Sequence, residues 1–202
     1  MKTRAISYSP DMILARTAGR KTQTRRLVVP QPDYVNALGV PFYPNGKGPV
    51  DYRQSPYGQE GDRLWVREEH RILALFEGSA QARVQYRADG EERLVNLTDA
   101  DMDKILSRKT PRDHWMRARF MLRSLSRGLD EITAVRVQRL QDISPADCEA
   151  EGIAPSFYHT LDGAGCQARV HDYKTLWESI NGPGSWDANP WVWAITFQPI
   201  PL

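Results

Sequence analysis

From Ser9 to Arg26 the chain reads Ser-Pro-Asp-Met-Ile-Leu-Ala-Arg-Thr-Ala-Gly-Arg-Lys-Thr-Gln-Thr-Arg-Arg. Lys21, Thr22, Thr24, Arg25 and Arg26 crowd hydroxyls and cations together. Residues 1–30 hold seven Lys/Arg (Lys2, Arg4, Arg16, Arg20, Lys21, Arg25, Arg26) against one acid, Asp11. A local positive field of this kind attracts a phosphate or a polar base; the plainer alternative is a solvated basic face. The elements that would hold these groups can be read nearby. Ser9 suits an N-cap and Pro10 the first helical position, where its missing N–H costs nothing. Met12, Ile13 and Ala15, with Leu14 beside them, give the helix an apolar side. Gly19 stands where a left-handed terminator belongs. A strand over 22–29 then follows a rigid element.

The chain of 202 residues carries 27 Lys/Arg and 25 Asp/Glu, a net charge of +2, so no global nucleic-acid signature accompanies the basic start. Its length suits a single domain, 1–202, with insertions and a sizeable core. There is no run of about 18 apolar residues, so no membrane span is expected. No signal-peptide core is visible. A cytoplasmic protein is therefore expected, monomeric or weakly dimeric, with Cys148 and Cys166 as reduced, inert thiols. Neither cysteine belongs to a CxxC pair, and His70, His114, His159 and His171 lack ligand spacing, so neither metal nor cofactor is expected.

Further elements follow in order. Residues 2–8 read as a first strand. Residues 30–60 read as a long loop, with Pro30, Pro32, Pro41, Pro44 and Pro56 among its breakers, covering part of a cleft. Residues 63–68 alternate as a strand. Residues 82–88 and 91–97 flank Asp89-Gly90, which signals a two-residue hairpin turn. Residues 98–108 read as a capped helix and 130–140 as an interior strand. Ser144-Pro145-Ala146-Asp147 opens a helix that closes at Gly152. Residues 163–165 mark a loop, residues 170–180 a helix, and Trp191–Phe197 a final strand whose Trp191, Trp193 and Phe197 are expected in the core. The order is β-α-β, a hairpin-bearing insertion at about 71–130, then β-α-α-β. It predicts an α+β fold, a small curved sheet or barrel with short helices at its ends.

Four blocks now carry a resemblance: Ala18-Gly19-Arg20-Lys21-Thr22-Gln23-Thr24-Arg25, Gly61-Asp62-Arg63-Leu64-Trp65-Val66, Glu149-Ala150-Glu151-Gly152, and the closing aromatic strand after Gly184-Ser185-Trp186-Asp187-Ala188-Asn189-Pro190. Together they resemble the ASCH domain family, in its tryptophan-rich phage and prophage form. The resemblance implies a PUA-like mixed β-barrel related to domains that bind RNA or modified bases. One bacterial branch of the family, which carries Gly-Arg-Lys-Thr-x-Thr, hydrolyses N4-acetylcytidine to cytidine and acetate. Matching that branch implies Lys21 as proton acceptor, Thr24 as nucleophile and Glu151 as proton donor. Arg20, Arg25 and Arg26 are the cations expected around the substrate, and Trp65 and Trp186 the rings expected to stack on its base.

The chemistry sets conditions of its own. Amide hydrolysis needs a nucleophile, a base to activate it and an acid for the leaving amine. Lysine is a base only when burial or neighbouring cations depress its pKa. Lys21 and Thr24 are three apart, so an ideal strand points them to opposite faces. They must therefore meet across a junction or a bulge. The expected function is a metal-independent amidohydrolase acting on N4-acylated cytosine nucleosides. A non-catalytic RNA or modified-base binding domain is the alternative, and a metal-independent ribonuclease a weaker one.

Overall fold

The computed structural model describes residues 1–37, 40–43, 55–108, 114–154 and 165–200, with side chains from Ala168 onward in the last stretch. Its elements are β1 (Thr3–Ser7), α1 (Pro10–Thr17), β2 (Gln23–Leu27), β3 (Tyr34–Val35), β4 (Pro41–Phe42), β5 (Arg63–Arg67), β6 (His70–Phe76), β7 (Gln81–Tyr86), β8 (Glu92–Asn96), α2 (Asp99–Leu106), β9 (Leu129–Arg139), α3 (Pro145–Ala150), α4 (Gly165–Asn181) and β10 (Trp191–Ile200). The protein is thus α+β, with mixed sheets and short helices. Among the described residues no helix is long and apolar enough to cross a membrane. The chain divides into two compact units. One comprises Met1, Ala15–Asp62 and Glu131–Gln198; the other comprises Lys2–Leu14, Arg63–Asp130 and Pro199–Leu202.

In the first unit β2 pairs antiparallel with β10, Thr24 opposite Ile195 and Arg25 opposite Ala194. The run Val192-Trp193-Ala194-Ile195 is buried throughout, so β10 has apolar cover on both faces. Trp193 and Phe197 lie in the core as expected; Trp191 is half-buried, with the Arg139 guanidinium 4.2 Å over its ring. A cluster of Leu140, Ile143, Cys148, Tyr173, Trp177 and Trp186 packs with Val192. At about 1.5–3 kcal/mol for each large apolar side chain removed from water, it is a main source of stability here. α3 starts by the expected capping box: Ser144 Oγ accepts from the Asp147 N–H and the Asp147 carboxylate accepts from the Ser144 N–H. α4 begins at Gly165, five positions before the expected start; the loop expected around 163–165 otherwise lies outside the described residues. The 30–60 loop is described only in part. Its described residues include the β3–β4 pair, whose Tyr34 and Phe42 rings stack at 4.8 Å, while 38–39 and 44–54 lie outside.

In the second unit β1 runs parallel to β5, Thr3 opposite Arg63 through Ser7 opposite Arg67. β6, β7 and β8 form an antiparallel meander. β6 corrects the sequence reading, which had no strand there; the run Ile72-Leu73-Ala74-Leu75-Phe76 is what pairs with β7. The β7–β8 turn is also longer than two residues, spanning 87–91. Gly90, at φ +73°, returns its N–H to Tyr86 O, and Asp89 accepts from the Glu91 N–H, so side-chain bonding closes the turn. Thr98 caps α2, whose Met102 and Ile105 join Ile72, Val84, Tyr86 and Leu125 in this unit's core.

Candidate active site

Helix α1 stops as its sequence dictates. Gly19 adopts φ +73° and returns its N–H to Arg16 O, and the Arg20 and Lys21 N–H groups both reach back to Ala15 O. That turn leaves Lys21 just before β2, in an isolated antiparallel bridge with Glu151. On the other side of the bridge, Glu151 is the C-cap of α3, with its N–H on Asp147 O. Gly152 follows at φ +95°. A Cβ there would stand 2.9 Å from Ala15 Cβ and 3.1 Å from Lys21 Cβ, so the close approach of these segments requires glycine.

The bridge brings opposite charges together out of water. Lys21, Arg25 and Glu151 are 2, 2 and 4 % exposed. Lys21 Nζ donates to Glu151 Oε2 (3.0 Å), to the main-chain O of Glu151 (2.8 Å) and to that of Gln23 (2.8 Å). Arg25 Nη1 donates to Glu151 Oε1 (3.2 Å) and Gln23 Oε1 (2.6 Å). Its Nη2 lies 3.0 Å from Asp147 Oδ2 but off the hydrogen-bonding axis, and its Nε is buried with no hydrogen-bond partner among the described residues. Asp147 also accepts from Arg136 Nη2 at 2.9 Å, and the Arg25 guanidinium stands 5.9 Å from the Tyr173 ring centroid. An acid at a helix C-terminus opposes the macrodipole, and Glu151 is stabilised there by the two cations it meets.

Electrostatics follow from this packing. Desolvation lowers the pKa of Lys21; the Glu151 carboxylate pulls it back up, while Arg26 and Arg25 push it further down, and the balance remains below the ordinary lysine value. Burial raises Asp147, but Arg25, the Ser144 N–H and Arg136 outweigh it and hold the carboxyl below its ordinary range. The Cys148 thiol, buried in the same unit, is pushed up to about 12 by desolvation and is inert.

Of the residues expected in the site, Lys21, Arg25 and Glu151 are brought into direct contact. Thr24 is buried on β2. Gln23 and Arg25 share the side that meets Glu151, so strand alternation sends the Thr24 side chain off the other face. Lys21 Nζ belongs to neither face. β2 ends the sheet, and its Thr22 O and Val28 N–H point to β10, so alternation turns the Gln23 carbonyl toward the open edge. The ammonium bonded to that carbonyl sits at the strand edge, beside the peptide that carries Thr24.

The remaining expected residues are placed separately. Arg26 is half-buried and donates to Arg25 O; Arg20 is exposed and donates to Gly152 O. Trp186, expected as a stacking ring, is instead built into the apolar cluster, edge-on to Tyr173. Trp65 stands half-buried on β5, in the second unit, with the Arg67 guanidinium 5.6 Å from its ring centroid.

Sequence reasoning missed Gln23 and Asp147. Both had a signal: Gln23 is two from Arg25 in a strand, and Asp147 is four before Glu151 on one helix face. What the set can do is hold a proton between a lysine and a carboxylate in a dry site, with a guanidinium beside them. Comparison with models of known protein families, with curated proteins and with solved structures returned no match.

Proposed function

We propose that the chain is an amidohydrolase with an ASCH-type, PUA-like fold that removes the acyl group from N4-acylated cytosine nucleosides, releasing cytidine and acetate from N4-acetylcytidine. The observation that carries this reading is the buried 3.0 Å contact between Lys21 Nζ and Glu151 Oε2. The ion pair has the same proton count as a neutral amine beside a carboxylic acid. One proton transfer along that hydrogen bond converts the resting pair into the base and acid that amide cleavage needs. Burial penalises the Lys21 charge, and Arg26 and Arg25 add to this. Arg25 also donates to the Glu151 carboxylate, on the oxygen that Lys21 does not use.

In the proposed reaction Lys21 Nζ takes the Thr24 hydroxyl proton as Oγ1 attacks the acyl carbon. The C–N bond breaks as Glu151 gives its proton to N4, and cytidine leaves. Water then attacks the acyl-threonine, with Glu151 accepting its proton and Lys21 returning one to Oγ1, so acetate is released and the starting ion pair is restored. The edge position of Nζ, bonded to the Gln23 carbonyl beside the peptide that carries Thr24, supports the Lys21–Thr24 step.

The test is chromatographic detection of cytidine after incubating purified protein with N4-acetylcytidine. Thr24→Val keeps the volume and removes the hydroxyl, so turnover is expected to fall at least about a hundredfold with folding retained. Binding without turnover in the unsubstituted protein would instead identify a modified-base reader. Cleavage of labelled RNA in chelator would identify a ribonuclease.

A further inference from the structure

Within the second unit, the segment 114–127 contains Arg117, Arg119, Arg123 and Arg127 and no Asp, Glu or Lys. Only Arg127 turns inward, to Glu68, Asp89 and Glu91. Arg117, Arg119 and Arg123 are exposed and, among the described residues, have no carboxylate partner. The backbone is held where these side chains begin. His70 and Met116 exchange both main-chain hydrogen bonds, at 2.7 and 3.2 Å, which lays the segment along the start of β6. Arg67 Nη1 donates to Arg119 O at 3.3 Å, and Arg108 Nη2 donates to Phe120 O at 3.1 Å.

The cations are layered with rings. Trp115 has the guanidinium groups of Arg71 and Arg87 at 4.8 and 5.4 Å from its ring centroid. Arg119 lies 4.8 Å over Phe120, a ring that is 48 % exposed. Among the described residues one carboxylate is paired with this group: Glu69, 3.4 Å from Arg87. The guanidinium over Phe120 is a surface cation–π contact, and the half-open ring remains available for a further stacking partner. Guanidinium is also weakly hydrated, planar and matched to phosphate in a way lysine is not.

We propose that this arginine–aromatic face of the second unit binds single-stranded nucleic acid, its phosphates on Arg117, Arg119 and Arg123 and an unstacked base on Phe120. Rings interleaved with guanidinium planes offer π-faces that a duplex, with its bases already stacked, cannot use. An acidic peptide would use the charges but leave the rings without a role.

The experiment is fluorescence anisotropy of the full chain with labelled oligouridylate and oligothymidylate of about 12 nucleotides, a length within one single-strand site. Salt is raised from about 50 to 200 mM. Saturable binding is expected, with a log–log salt slope of about −0.7 for each phosphate contact. Arg117→Ala/Arg119→Ala/Arg123→Ala is expected to weaken binding at least about tenfold and flatten the slope by about 2, three contacts' worth. Phe120→Ala should weaken it at least about fivefold and leave the slope unchanged. Comparing the two oligonucleotides distinguishes RNA from DNA as the occupant. The proposal is overturned by no saturable binding at the lowest salt, or by wild-type affinity in the triple variant. It is equally overturned if heparin or duplex competes as well as single strands while Phe120→Ala has no effect. Nucleoside hydrolysis is not a readout here, so the two proposals fail separately.

Discussion

Lys21 gathers three acceptors around Nζ in a site that is almost dry, and the two facts pull in opposite directions. Acceptors favour the ammonium; desolvation and the neighbouring arginines favour the amine, and the amine gains enough to lower the pKa. The pair acts with one proton shared between amine and carboxylate, so the rate should fall as pH rises through the lowered lysine value, below the ordinary 10.5, where that proton is lost. A pH–rate profile checks this, and Lys21→Arg, which keeps the charge and cannot deprotonate, should remove that falling limb and about two to four orders of magnitude of rate. Stability carries a matching sign. Between the lowered value and 10.5 the unfolded chain binds more protons than the folded one, so the contribution of Lys21 to stability rises with pH across that window. Denaturant midpoints measured across it should rise, and Lys21→Met should flatten the trend.

At the scale of elements, the site depends on where two helices stop. α1 must end at Gly19 and α3 at Gly152 for Lys21 and Glu151 to face each other. Ser144→Ala removes the α3 cap and should cost about 1 kcal/mol by chemical denaturation. Gly152→Ala should cost more, about 2 kcal/mol or above. It combines a left-handed backbone with a Cβ pressed on Ala15 and Lys21. Both helix ends were legible in the sequence because caps and terminators are local chemistry. The contact between Lys21 and Glu151 was not legible from the residues themselves. The two are far apart in the chain, and only the family resemblance paired them. The side chain of Thr24 obeyed strand alternation, as the sequence warned, and the edge position of Nζ was invisible because it depends on β2 ending a sheet.

Across the whole molecule, two polar clusters hold two units. The first unit has the Lys21–Arg25–Glu151–Asp147 set; the second has Arg127, which joins Glu68 to the turn residues Asp89 and Glu91 and lies 4.2 Å from the Tyr86 ring. Arg127→Ala strands a buried Glu68 and should destabilise by about 3–5 kcal/mol. Hydrogen exchange should then show the loss first in β6–β8. The α+β class and most element positions followed from periodicity and turn residues. β6 did not, because an apolar run without alternation reads equally as strand, helix or loop. Trp186 was misassigned for a related reason. A tryptophan among turn residues looks exposed until the helix that covers it is placed.

The central claim is that Lys21 and Glu151 form a proton-transfer pair for amide cleavage. The most direct measurement is cytidine release from N4-acetylcytidine by the purified protein, its Lys21→Arg variant and its Lys21→Ala variant, each first shown to be folded. Turnover by the unsubstituted protein, with a loss of at least about a hundredfold in both variants, is the expected result. No release by the unsubstituted protein, or full activity in either folded variant, would contradict the claim.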